Sequence, residues 1–241
     1  MATGALWLTA IVLLGSCVQW LTGMGFALVA VPALILLLGP TQGVILANCA
    51  SGVICAIGLV SGWREVRWSA MVPLCAASAC TVPLGAWTTR HLPEPALLIV
   101  MGALVTVAVL LIVRGLRAPA LRGRAGAVGT GAAGGFMNDA AGVGGPPISL
   151  YALNAELSAR EFVPNAQFYG LFVNIFSVAA NGVPRLGGVQ WACVAVAMAV
   201  GVLIGRALAE RTPERRARAL VLTLALGGGG VTTLLKGVLE L

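Results

Sequence analysis

Residues 134–147 read GGFMNDAAGVGGPP, and the shorter sequence GMGF occupies residues 23–26, so that Gly142 follows Gly23 by 119 residues. Both glycine clusters interrupt long apolar runs. In membrane transporters, interrupted segments at corresponding places of two halves are the best sequence pointer to a binding site. The two stretches therefore predict two broken helices with a site between them.

The composition predicts a membrane protein. Of 241 residues, 59% are hydrophobic and 10% are charged, with a mean hydropathy of +0.97. A soluble domain carries roughly 25% charged residues. Between arginine-bearing breaks, apolar runs approach the ~20 residues that a transmembrane helix needs. We therefore expect an all-α polytopic membrane protein with no soluble domain.

Charges and Gly/Pro clusters divide the chain into ten membrane segments, or about eight if each broken pair counts once. The predicted segments lie at about 5–20, 24–38, 43–61, 69–88, 96–113, 125–140, 143–154, 162–181, 189–209 and 218–238. The second and seventh are too short to cross ~30 Å of hydrocarbon at about 1.5 Å per residue. Each is therefore joined to its predecessor as a broken helix pair.

The basic residues predict the orientation, because cytoplasmic loops carry an excess of Lys and Arg. One consistent assignment places twelve of the fifteen basic residues inside and leaves Arg90, Arg185 and Lys236 outside. Both termini then lie on the non-cytoplasmic side of the cell (inner or plasma) membrane. Topology and anionic lipid explain the net charge of +7 without nucleic acid.

The two halves match at offsets near 120 residues, as Pro93-Glu94 and Pro213-Glu214 illustrate. Each half, residues 1–118 and residues 119–241, then holds a broken pair plus three transmembrane helices. Since this gives an odd number of crossings, the halves have opposite orientation. The sequence thus predicts two inverted repeats within a single membrane domain, an architecture of secondary transporters.

The candidate site consists of glycines and amides around two helix starts, predicted at Met24 and Val143. A helix that begins inside a membrane leaves its first N–H groups unpaired, and lipid cannot satisfy them. The helix dipole places roughly half a positive charge there, which favours an anion. The predicted anion-binding residues are Gly23, Gly25, Phe26, Asn48, Asn138, Gly142, Gly144, Gly145 and Gln167. The alternatives are tight packing for the glycines and interhelical hydrogen bonds for the amides.

Asp139 is the one acid predicted inside a membrane segment and away from its ends. Intramembrane charge is costly and by default functional, although an aspartate that caps a broken helix is a structural alternative. The hypothesis is that Asp139 is protonated in part of the cycle and couples proton movement to anion movement. Undiminished transport with unchanged pH dependence in Asp139→Asn would contradict it.

Other functional classes fit less well. One histidine, His91, without a Ser-His or paired-acid arrangement argues against an enzyme. The six cysteines include no Cys-x-x-Cys metal motif, and no P-loop motif predicts a nucleotide. No metal or cofactor is expected, and a homo-oligomer is compatible with the sequence. A passive anion channel and a non-transporting membrane scaffold stay open as alternatives.

The glycine-rich stretches resemble the TauE/SafE family of sulfite exporter-like membrane permeases. The resemblance rests on GMGFALVAVP at 23–32 and GGFMNDAAGVGGPPISLY at 134–151, and it covers essentially the whole chain. It implies a duplicated membrane fold and transport of sulfite, a sulfonate or a related sulfur-containing or organic anion. Together with the predicted inverted repeat, it indicates a secondary permease that works by alternating access on an anion whose identity stays open.

Overall fold

The computed structural model describes residues 2–23, 25–114, 121–209 and 238–239. Across these ranges there are no strands, and the helices are α1 (Ala2–Thr22), α2 (Phe26–Leu38), α3 (Pro40–Gly62), a 3₁₀ turn (Trp63–Glu65), α4 (Trp68–His91), α5 (Glu94–Arg114), α6 (Gly123–Ala141), α7 (Gly145–Asn154), α8 (Ala159–Asn181) and α9 (Gly188–Ala209). Met24, Lys236, the basic residues at 211–218 and nearly all of the predicted segment 218–238 lie outside the described residues.

Four stretches of the described chain are long and apolar enough to cross a membrane. They are Gly4–Thr22, Pro40–Glu65, Trp68–His91 and Gly188–Ala209. Large apolar side chains stand exposed on them, including Val60, Trp87 and Leu203, as expected for helices that face lipid. By contrast, α2 and α7 have 13 and 10 residues, which is less than a full crossing. The predicted all-α polytopic membrane fold is confirmed.

Helices from the two halves of the chain pack against each other, most extensively α4 along α6, α1 along α9 and α3 along α8. Glycines bring the backbones close. A Cβ on Gly135 would lie 2.6 Å from the Ser78 carbonyl oxygen, and one on Gly201 would lie 2.5 Å from the Leu13 carbonyl oxygen. Small residues allow such close approach in membranes, where van der Waals packing holds helices together. Each half therefore packs through contacts with the other.

The interior of the described chain contains two apolar clusters. One cluster is built mainly from α1, α2, α3, α5 and α9 and buries Phe26 and Leu46 completely. The second is built mainly from α4, α7 and α8 and contains Met71 and Tyr169. The polar residues described below lie near the junction of these clusters, where α3, α6 and α8 approach one another.

The broken helices end at glycines in the left-handed region. Gly23 follows α1 with φ 75°, and Gly142 follows α6 with φ 69°. The Gly142 N–H bonds to the Asn138 carbonyl at 2.8 Å and so satisfies one of the last carbonyl groups of α6. Other residues are strained at such φ values, whereas glycine adopts them freely. The interruptions thus occur where the glycine clusters predict them.

Candidate functional site

A cavity lies where the two interruptions meet. Its lining includes Gly23 and Gly25 before α2, and Gly142, Gly144 and Gly145 around the start of α7. It holds about 490 Å³ of space free of protein atoms, including its open mouth. The starts of α2 and α7 therefore border one shared space.

The two helix starts differ as hydrogen-bond donors. α2 begins after Gly25 and α7 begins after Gly144, and neither has a side-chain cap. In α7, the second and third residues are Pro146 and Pro147. Proline has no N–H group, so the first turn of α7 offers fewer backbone donors than that of α2. Both ends carry the positive end of a helix dipole.

Gln19 forms a polar group with α3 beside the first interruption. Its Nε2 donates to the Ser51 carbonyl and to Cys55 Sγ, each at 3.2 Å, and its Oε1 accepts from the Ser51 hydroxyl at 3.0 Å. Gln19 is 2% exposed, and all three residues line the cavity. None of these three residues was predicted as a site residue. The spacing held a signal for Gln19, which precedes Asn138 by the same 119 residues that separate the glycine clusters.

Asn138 forms a second polar group beside the other interruption. Its Nδ2 lies 3.0 Å from the Ser177 hydroxyl, 3.2 Å from Asn174 Oδ1 and 3.4 Å from Asn48 Oδ1. An amide nitrogen has two hydrogens, so these three acceptors cannot all be fully satisfied at once. Asn138 and Asn174 line the cavity. Asn174 and Ser177 were not predicted as site residues.

Of the nine predicted binding residues, six line the cavity: Gly23, Gly25, Asn138, Gly142, Gly144 and Gly145. Phe26 is fully buried, and its ring lies against Gly15, where an added Cβ would come within 2.9 Å. Asn48 is in contact with the cavity-lining Asn138 but is not itself part of the lining. Gln167 packs beside Gly58. The structure therefore brings the glycines and Asn138 together and leaves Phe26, Asn48 and Gln167 outside the lining.

Asp139 lies beside the cavity and outside its lining. The residue is 1% exposed, and its Oδ1 accepts a hydrogen bond from Asn181 Nδ2 at 2.7 Å. Its Oδ2 is buried, and no described group forms a hydrogen bond with it. Because α7 has no side-chain cap, the capping role that was the structural alternative for Asp139 is not seen.

Four helical stretches long and apolar enough to cross a membrane, together with two shorter helices whose starts border one cavity, define a multi-pass membrane protein. The chain belongs to the sulfite exporter TauE/SafE family, whose sequence model matches residues 8–231. This confirms the resemblance inferred from the glycine motifs, and the protein is a membrane transporter of that family. No curated protein and no solved structure shows significant similarity to the chain.

Proposed function

We propose that the protein is a secondary carrier of a small anion in the cell membrane, with both termini on the non-cytoplasmic side. The anion is sulfite, a sulfonate or a related sulfur-containing or organic anion. The observation that carries this proposal is that the uncapped starts of α2 and α7 border one cavity. Helix starts of this kind bind anions through backbone N–H groups and the helix dipole.

The lining of the cavity is suited to an anion that is bound and then released. Gln19 and Asn138 bring side-chain amides to it, and no charged side chain occurs among its described lining residues. Amides donate hydrogen bonds without the desolvation cost of a buried cation. Transport requires binding that is favourable enough for entry and weak enough for exit, so dipoles and amides suit a carrier better than a fixed cation would.

Alternating access between two inverted repeats, residues 1–118 and 119–241, is the mechanism we propose. The matching helix pairs support it: on α4, Gly85 packs against Asp139, and on α9, Gly205 packs against Trp20. Gly205 follows Gly85 by 120 residues, and Asp139 follows Trp20 by 119. If the halves exchange conformations, the cavity opens first to one side of the membrane and then to the other.

Thermal stabilisation of the purified protein by an anion panel tests the binding site. The panel contains sulfite, thiosulfate, sulfoacetate, taurine and simple carboxylates. A ligand at 100 times its Kd stabilises the native state by about 2.7 kcal/mol. We expect Gln19→Glu to abolish the shift, because it adds a negative charge to the cavity at nearly constant size. The matched control is Gln190→Glu, at a site outside the cavity lining where the side-chain oxygen accepts from the Gly187 N–H at 2.8 Å.

Two outcomes would contradict the anion site: no shift with any anion in folded protein, or a full shift in Gln19→Glu. Transport in vesicles then separates the carrier from the channel alternative. A carrier shows faster uptake of labelled anion when unlabelled anion is present on the opposite side. A channel lacks this counterflow and conducts at far higher rates.

A further inference from the structure

A carboxyl group is buried next to the cavity without a full set of partners. Asp139 is 1% exposed; its Oδ1 accepts from Asn181 Nδ2 at 2.7 Å, whereas its Oδ2 has no hydrogen-bond partner among the described residues. An ionised carboxylate with an unpaired oxygen is strongly disfavoured away from water, whereas the neutral acid avoids that cost. We propose that Asp139 is a proton-binding site whose neutral form favours anion binding in the cavity.

The surroundings of Asp139 suit a proton better than a metal ion. Asn181 presents an N–H donor, and the guanidinium of Arg90 is the charged group that acts on Asp139. A metal ion needs several oxygen ligands, and the described chain contains no group of three or more His, Cys, Asp or Glu residues that could hold one. A proton needs only one oxygen of the carboxylate. The guanidinium opposes any added positive charge at this carboxyl, a proton included, so burial is what favours the neutral acid.

The helices packed against α6 supply few titratable groups to this carboxyl. Arg90 comes from α4, where Gly85 also packs against the Asp139 Cβ, and α8 contributes Ser177 and Asn181. Within the described parts of α3, α5 and α7, no ionisable side chain acts on Asp139. Its protonation is therefore governed by burial, the hydrogen bond from Asn181, the nearby Ser177 and one guanidinium.

Ser177 and Asn181 connect this carboxyl to the cavity. The Ser177 hydroxyl accepts from Asn138 Nδ2 at 3.0 Å, and the Ser177 carbonyl accepts from Asn181 Nδ2 at 3.1 Å, the amide that also donates to Asp139. Asn138 itself lines the cavity and directly precedes Asp139. An ionised Asp139 therefore places a negative charge one residue from the proposed anion site, and like charges repel.

The coupling rests on the proposed anion site, whereas proton binding by Asp139 does not. When Asp139 takes up a proton, its carboxylate becomes a neutral carboxylic acid and the repulsion of the anion is removed. One proton and one anion then occupy the same state of the carrier. Loss of the proton restores the carboxylate and favours release of the anion.

Infrared difference spectroscopy of the purified full chain during a pH titration tests the proton site. We expect a carbonyl band of a protonated acid that titrates in the wild type and is missing in Asp139→Asn. Asp139→Glu should restore an acid band at a changed frequency, which guards against general damage by the first variant. The exposed Glu156→Gln is the matched control and should keep the wild-type band. A spectrum in Asp139→Asn identical to that of the wild type would overturn the proposal.

Repeating the titration with saturating sulfite or methanesulfonate tests the coupling. Methanesulfonate stays ionised throughout, so it contributes no proton of its own. We expect the acid band to persist to higher pH in the presence of the bound anion, because binding of each ligand favours the other. A band that is present but unmoved by an anion that does bind contradicts the coupling. Absence of anion binding with the band intact contradicts the proposed function and leaves the proton site standing.

Discussion

Gln19 and Asn138 bring the two amides from α1 and α6 to the cavity. They make different contacts, since Gln19 is bonded to Ser51 and Cys55 whereas the Asn138 amide is shared among three acceptors. Because three acceptors compete for two N–H hydrogens, one hydrogen can turn to a ligand while the other keeps a protein acceptor. Asn138 is therefore the residue at which removal of one side chain should affect anion affinity most directly.

We predict that Asn138→Ala weakens anion binding by roughly 10- to 100-fold, because a hydrogen bond to a charged group contributes about 1.5–3 kcal/mol. Gln42→Ala is the control, since Gln42 lies outside the cavity lining and accepts from the Arg185 N–H at 2.8 Å. Isothermal titration calorimetry with the stabilising anion measures both variants. Equal affinity in Asn138→Ala and wild type would remove Asn138 from the site.

Gly144 illustrates why bulky glycine substitutions at the cavity need care. A Cβ on Gly144 would lie 2.7 Å from Asn138 Oδ1. A substitution there would displace the amide as well as fill the cavity, so lost binding would have two causes. Isosteric changes such as Gln19→Glu keep these two effects apart.

At the scale of the helices, the contact of α4 with α6 depends on glycine. A Cβ on Gly131 would lie 2.1 Å from the Leu74 carbonyl oxygen, whereas a Cβ on Gly129 of the same helix would meet nothing within 4 Å. We predict that Gly131→Leu lowers the thermal midpoint and yield of the purified protein, while Gly129→Leu leaves both nearly unchanged. Overpacking costs about 1–3 kcal/mol or more. Size-exclusion chromatography and thermal unfolding in detergent measure the yield and the thermal midpoint. Similar values for the two variants would count against the packing argument.

The start of α8 carries an ion pair across the two halves. Glu161 accepts from Arg67 at 2.7 and 2.9 Å, and it forms a capping box with Ser158. The hydrogen bond from the Ser158 hydroxyl, followed by that from Arg67, lowers the pKa of Glu161 from its ordinary value of 4.5 to about 2. Glu161 lies just before the predicted membrane segment at 162–181. Its side chain is partly exposed, so water and buffer reach it.

We predict that Glu161 stabilises the folded protein at neutral pH and that this contribution is lost over a defined range of acid pH. Because its pKa is lowered on folding, the contribution is complete above about pH 4.5 and is lost as the pH falls through about 2. The thermal midpoints of wild type and Glu161→Gln should differ at pH 5 and converge toward pH 2. A difference that stays constant over this range would show that Glu161 acts through packing alone.

Helix ends were predictable because charges and glycine or proline mark them. The segments predicted at 43–61 and 189–209 correspond to Pro40–Gly62 and Gly188–Ala209. Which side chains point into the protein was less predictable. Lipid is as apolar as the protein interior, so hydrophobic periodicity says little about which face of a helix is buried. Phe26 was thus placed at the site with its glycine neighbours, whereas its ring packs into the core. Gln19 was missed for the same reason.

At the scale of the whole molecule, the two halves share their interior. α1 packs along α9 and α4 packs along α6, so each pair draws one helix from each half. We predict that residues 1–118 expressed alone fail to give a monodisperse protein, and that co-expression with residues 119–241 yields a complex that purifies through a tag on either half. A first half that is as stable alone as the full chain would contradict this interdependence.

The pairing of α1 with α9 also affects how the protein is made. About 165 residues separate the end of α1 from the start of α9, which at about 5–20 residues per second means roughly 10–30 s of translation. During this time α1 has left the ribosome and its partner helix has not yet been synthesised. The glycine-lined contact therefore closes only after α9 has been synthesised, later than contacts among the helices that precede it.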